Sequence, residues 1–215
     1  MKVVSLWSGG KDSCFACYRA IQQGYKVASL FNFINVDGKK SLSHGLSAGL
    51  LRKQAELTGM PFLQKAMPKE TYRAEFKRLI NEWKKRAGIE GIVFGDIYLQ
   101  EHRDWIDKVC QELEVSAIIP LWGKDTKGLI KEFVQAGFKA IVVAVNLQVL
   151  DKDWLGCQIN KEFIEDLEER GDIDFCGENG EYHTFVYDGP LFKKAVNFRT
   201  RKKLSGDKYW FLEII

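Results

Sequence analysis

The chain lacks any stretch that approaches the roughly 20 consecutive apolar residues of a membrane helix, which excludes a helical span and leaves no membrane partner expected. It also has little net charge. The formal value is +3 over 215 residues, and Lys and Arg are interspersed with Asp and Glu. That is no nucleic-acid footprint, so DNA is not an expected partner. Cysteine is sparse. Five thiols, at Cys14, Cys17, Cys110, Cys157 and Cys176, are odd in number and scattered. A disulfide framework is not indicated, and reduced thiols in a cytoplasmic setting are expected. Cys14 and Cys17 have the spacing of redox and zinc pairs, but no second pair completes a four-ligand site, so both are expected to pack a helix against a sheet. Met1-Lys2-Val3-Val4 leads straight into a strand-like run, with no targeting segment read there. There is no internal repeat, low-complexity tract or Pro/Ser-rich linker.

What is present suits a folded protein: 46% apolar and 28% charged residues. The length accommodates one large α/β domain, or one domain with a smaller companion. The densest signal is Ser8-Gly9-Gly10-Lys11-Asp12-Ser13. It follows the apolar run Val3-Val4-Ser5-Leu6-Trp7, a buried-strand pattern, and precedes residues 14–21, whose apolar positions recur at helical spacing. Glycines on a strand-to-helix turn let the backbone approach a ligand closely. The unpaired N–H groups of a starting helix and its dipole favour an anion there. Lys11 adds positive charge, and Ser8 and Ser13 add hydroxyls. A Walker loop would need four residues between its first glycine and the Gly-Lys pair, so that reading fails.

Strand-like and helix-like segments alternate through the first half. Residues 26–34 read as a strand, 45–58 as a helix stopped by Gly59 and Pro61, and 62–65 as a weak strand. Residues 69–87 read as an amphipathic helix, 91–95 as a strand, 101–113 as a helix and 116–120 as a strand. This alternation predicts a parallel sheet with helical crossovers, whose ligands collect beyond the carboxyl ends of the strands. A smaller, less regular and more antiparallel α+β part is expected from residue 121 onward: helices at 125–136 and 160–169, and strands at 139–145, 182–186 and 209–214. The expected division is therefore 1–120 and 121–215. The basic run Arg199 to Lys203 reads as a solvated hairpin surface.

A second dense segment runs from Asp174 to Thr184. Glycines there supply tight turns, and carboxylates with an imidazole supply acid, base or metal-binding capacity. Taken with Val93-Phe94-Gly95-Asp96-Ile97, Ile119-Pro120-Leu121-Trp122-Gly123, Ala140-Ile141-Val142-Val143, Gly177 to Tyr182 and Pro190-Leu191-Phe192, the hexapeptide resembles the PP-loop, ATP-binding family of diphthine–ammonia ligase. The resemblance covers nearly the whole chain, to about residue 195. It implies a Rossmann-like (HUP-like) nucleotide-binding domain and a smaller C-terminal domain that forms the acceptor pocket. It implies ATP with Mg²⁺ held by Ser8, Gly9, Gly10, Lys11, Asp12 and Ser13, with Gly95 and Asp96 near the nucleotide. Trp122, Gly123, Gly177, Asn179, Gly180 and Tyr182 would line the acceptor side, and Glu178 and Glu181 would face the acceptor. ATP, ammonium and a carboxylate acceptor are the implied partners, the acceptor being diphthine of elongation factor 2; a homodimer is left open.

One departure stands out. The family pattern at the second segment is Glu-Gly-Gly-Glu-Phe/Tyr-Glu, whereas this chain has Asn179 and His183 at two of its positions. The Asn/His form resembles a subgroup linked to cobalamin salvage, which makes a corrinoid carboxylate the alternative acceptor. The expected chemistry is adenylation of the carboxylate, loss of pyrophosphate and displacement of AMP by ammonia. Lys11 and the helix amides would stabilise the phosphates. Asp12 would orient Lys11 or bind the metal through water, and Glu181 or His183 would take the ammonium proton. His44 and His102 are expected to be ordinary polar groups. Two other readings use the same loop: sulfur transfer to tRNA, for which Cys176 and the basic run are the available features, and nucleotide-binding regulation without turnover.

Overall fold

The computed structural model describes residues 1–42 and 45–215; His44 lies outside the described residues. Five strands, β1 (Lys2–Leu6), β2 (Lys26–Ile34), β3 (Phe62–Ala66), β4 (Gly91–Val93) and β5 (Ser116–Ile118), form one parallel sheet in the order β3-β2-β1-β4-β5. The crossovers are α1 (Lys11–Gln22), α2 (Ala48–Thr58), α3 (Tyr72–Ala87) and α4 (Gln100–Leu113). This is the expected α/β class. Adjacent residues of β1 serve opposite faces, as a pleated strand requires. Val4 joins Phe31, Phe33, Ile92 and Phe94 under α3 and α4, and Val3 joins Leu30 and Val93 under α1 and α2.

The remainder forms α5 (Thr126–Gln135), β6 (Lys139–Asn146), α6 (Lys161–Arg170), β7 (Tyr182–Asp188), β8 (Thr200–Ser205) and β9 (Tyr209–Ile214). Its four strands make an antiparallel sheet in the order β7-β6-β9-β8. That sheet packs on the α1/α2 side of the first, and the two share one continuous apolar core. The basic run enters β8, a wholly exposed strand that forms a hairpin with β9. The helix expected from residue 45 begins at Ala48. Ser47 is held in a bridge with Lys40, and its side chain caps the helix by accepting from the Leu50 N–H at 3.2 Å. Among the described residues, no helix is long and apolar enough to cross a membrane.

Strand order reverses at β1, which has β2 on one side and β4 on the other. The loops leaving β1 and β4 therefore diverge from a crevice at the carboxyl edge of the sheet, where open α/β sheets take ligands.

Candidate functional site

A cavity of about 480 Å³ occupies that crevice, within the range of small-molecule sites. Ser8, Lys11, Asp12 and Ser13 border it from the β1–α1 turn, Asn32 from β2, and Gly95 and Asp96 from the segment after β4. Its opposite wall comes from the far end of the chain: Cys176, Gly177, Glu178, Gly180, Tyr182, His183 and Thr184.

The turn is held from behind. Gly9 adopts φ +81°, and a Cβ there would lie 2.2 Å from Leu51 Cδ2, so only glycine fits. The Gly9 carbonyl accepts from Gln54 Nε2 at 2.9 Å and from the Val186 N–H at 3.0 Å. Gln54 is fully buried. Its Nε2 also donates to the Val186 carbonyl at 2.6 Å, and its Oε1 accepts from Trp7 Nε1 at 2.8 Å. One side chain of α2 thus ties the turn to β7 of the other sheet. The Thr184 hydroxyl accepts from the Lys11 N–H at 3.0 Å and takes up one of the unpaired donors of α1. Ser8 Oγ and Ser13 Oγ are 3.0 Å apart, and Ser13 Oγ donates to the Gly10 carbonyl at 3.0 Å. On the front side, Gly95 packs on the start of α1 so closely that a Cβ would lie 3.0 Å from Asp12 C and Ser13 N.

Lys11 is buried, with both Asp12 carboxylate oxygens 2.9 Å from its Nζ and the Cys176 carbonyl as a further acceptor. Burial works to lower its pKa, but the Asp12 carboxylate and other nearby acidic groups outweigh it and hold the ammonium above the ordinary lysine value. It is a permanent cation that joins the turn to the 176–184 segment. Glu178 Oε1 accepts from the Ile97 N–H at 3.0 Å. Burial, then the neighbouring Asp12 and Asp96 charges, push its carboxyl up to about 7 against the pull of that N–H and of Lys11. His183 stacks against Tyr209 with ring centroids 5.5 Å apart, and burial, then Lys11, push its imidazole down to about 4. It is neutral at neutral pH.

Other expected residues lie elsewhere. Glu181 is buried but does not border the cavity. Its Oε1 accepts from the Asp174 N–H at 3.2 Å and from Asn179 Nδ2 at 3.1 Å, so both side chains brace their own turn. Gly9 and Gly10 shape the turn without lining the cavity. Trp122 sits under the Arg103 guanidinium, 5.4 Å away, and the Gly123 N–H donates to the Ile97 carbonyl at 2.8 Å. Gly123 thus ties to the segment after β4 and Trp122 packs on α4, and neither lines the cavity. His102 does reach the cavity wall, with Nδ1 2.9 Å from Asp96 Oδ1. The sequence assigns no role to Gln54, nor to Thr184 within the 174–184 segment. Gln54 was detectable as a polar residue on the apolar stripe of α2, between Leu51 and Ala55; Thr184 gave no comparable signal.

The thiols are quiet. Burial pushes Cys17 up to about 12 and Cys176 higher still, and both stay protonated. No group of three or more metal-ligating side chains is found among the described residues.

Comparison with known proteins gives a consistent result along the chain. The model for the diphthamide synthase N-terminal domain matches residues 1–117, and that for the diphthamide synthase C-terminal domain matches residues 125–214. Diphthine–ammonia ligase of Danio rerio is 28% identical over 218 residues, covering 91% of this chain and 86% of that protein. The Mus musculus enzyme of the same name is 29% identical over 220 residues, covering 91% and 82%. A solved structure described as a predicted subunit of tRNA methyltransferase from Methanocaldococcus jannaschii gives a TM-score of 0.47 at 18% identity, covering 91% of this chain and 100% of that one. That likeness is too loose to bear on function.

Proposed function

The chain belongs to the diphthamide synthase family, and from that premise we propose that it is an ATP-dependent ligase that converts the carboxylate of diphthine to an amide with ammonia. The observation that carries this reading is the meeting, around one cavity, of the Ser8–Ser13 turn and the 176–184 segment, two motifs far apart in the sequence.

The residues present fit a metal-bound nucleotide. Asp12, Asp96 and Glu178 outnumber Lys11 on the walls, so a bare polyphosphate would meet net repulsion and a magnesium-bound one would not. Mg²⁺ is commonly held by one or two carboxylates together with phosphates, so a three-ligand cluster is not required. Asp12, whose carboxylate is the more exposed end of its pair with Lys11, is suited to hold the metal, and Lys11 to meet the phosphates. ATP would supply the activation, its adenylyl group going to the acceptor carboxylate with loss of pyrophosphate, and ammonia would then displace AMP.

The chain's own part is positioning and proton transfer. Ser8 and Ser13 present hydroxyls to the cavity. Glu178 is the base best suited to take a proton from ammonium. Its oxygen is fixed by the Ile97 N–H, and a carboxyl near 7 is largely ionised just above neutrality yet far more basic than an ordinary one. Neutral His183 is a weaker base and is assigned to contact with the acceptor. Sulfur transfer is disfavoured by the raised thiol pKa values.

The test is AMP formation from ATP, ammonium chloride and elongation factor 2 that carries diphthine. Turnover is expected, and Lys11→Ala should lower it about 100-fold or more, the usual loss when one preorganised donor is removed. Absence of AMP from the wild-type protein, or unchanged release from the variant, would contradict the reading.

A further inference from the structure

Next to the cavity, and sharing Leu6, Tyr72, Asp96 and His102 with it, a second cleft of about 420 Å³ opens between α3 and α4. Phe94, Glu101, Trp105 and Ile106 complete it. The nucleotide turn does not reach it. Three aromatic residues converge there, with the Tyr72 and Trp105 ring centroids 6.1 Å apart and their planes tilted by 43°. Two carboxylates, Asp96 and Glu101, share the walls, and no lysine or arginine does.

Each alternative occupant fails on this chemistry. An anion would be repelled by the carboxylates. A neutral apolar group would gain nothing from them. A small, strongly hydrated cation would lose its water against aromatic walls that cannot replace it. An ammonium ion is about the size of a water molecule, whose share of the liquid is about 30 Å³, and the cleft is far too large to grip it. A bulky, weakly hydrated cation gains from both features, because ring faces attract it and carboxylates balance its charge. Burial, helped by nearby Asp96, pushes the Tyr72 phenol up to about 12, which keeps that ring neutral.

We propose that the cleft between α3 and α4 binds the quaternary ammonium group of the acceptor, with Tyr72, Phe94 and Trp105 as aromatic walls and Asp96 and Glu101 as counter-charge. The acceptor's carboxylate, two bonds from the ammonium nitrogen, then lies at the rim that the cleft shares with the nucleotide cavity. The acceptor's identity rests on the ligase reading above, since diphthine as a compound bears a trimethylammonium on the carbon next to its carboxylate. The cation preference of the cleft does not rest on it.

The test follows tryptophan indole ¹H–¹⁵N resonances while choline chloride, its neutral isostere 3,3-dimethylbutan-1-ol or ammonium chloride is added at constant ionic strength. Trp105→Phe identifies the reporting signal. Choline should move it saturably, the isostere should bind about 10-fold more weakly, and ammonium should not displace choline. Glu101→Gln, at an exposed position, should weaken choline about 3-fold with the fold intact. Equal binding of choline and the isostere, displacement by ammonium at similar concentration, or no saturable response would overturn the proposal. In turnover, Glu101→Gln should raise the KM for the diphthine-bearing acceptor about 3-fold and leave the KM for ATP unchanged. AMP release with acceptor KM unaltered would remove the cleft and leave the ligase reading standing. Choline binding without AMP release from any diphthine-bearing acceptor would do the reverse.

Discussion

At the residue scale, the charge states of three side chains divide the work of the site. Lys11 is held cationic by its acidic neighbours against its burial, whereas burial, adjusted by neighbouring charges, holds His183 neutral and sets Glu178 near 7. The sign for Glu178 is definite. Its carboxyl is raised above the ordinary value of 4.5, so the active, ionised form is lost as pH falls through about 7. Free ammonia also grows with pH, but that factor cancels when the wild type is divided by a variant. The ratio of amidation rates, wild type over Glu178→Gln, should rise about 10-fold per pH unit below 7 and level off above it. A ratio flat from pH 5.5 to 8.5 would remove Glu178 from proton transfer. Linkage gives a matching stability effect. Between pH 4.5 and 7 the folded state binds the extra proton, so this group's contribution to stability falls as pH rises through that window.

At the element scale, α2 does more than cover the sheet. Gln54 reaches from its buried face to Trp7, Gly9 and Val186, and so fixes the turn against β7. Gln54→Leu keeps the volume roughly constant but leaves the Trp7 indole N–H and the Val186 carbonyl short of this partner. Denaturant unfolding should show a loss of about 2–4 kcal/mol, and titration calorimetry a weaker Kd for ATP. Loss of stability with Kd unchanged would mean that the tie serves folding alone. Such long-range ties explain what the sequence hid. The bounds of β2 were legible because a long apolar strand between turn residues has few alternative readings. The start of α2 was not, because Ser47 is drawn into a bridge with Lys40, and the Leu46 carbonyl accepts from the Ser41 N–H, before the helix begins. β8 carries no alternation at all, since every residue in it is exposed, and it exists only through its register with β9.

At the scale of the whole molecule, one cavity lies between a parallel sheet that supplies the turn and an antiparallel sheet that supplies the opposite wall, above a core shared by both. The turn was legible because its chemistry is local: six consecutive residues between a strand and a helix. The opposite wall was legible only in part, because composition shows carboxylates but not their directions. Glu178 faces the cavity and Glu181, three residues on, turns back to Asp174 and Asn179. Tyr72 and Trp105 fall within stretches legible only as helix, since spacing along a helix does not reveal what opens beside it. The roles of Lys11, Asp12 and Glu178 all require this cavity to be the nucleotide site. The most direct measurement is a crystal structure with Mg²⁺ and α,β-methylene ATP. The triphosphate is predicted to run along Ser8 to Ser13, with Lys11 within hydrogen-bond reach. A nucleotide bound elsewhere, or the cavity closed by its own side chains in the complex, would contradict it.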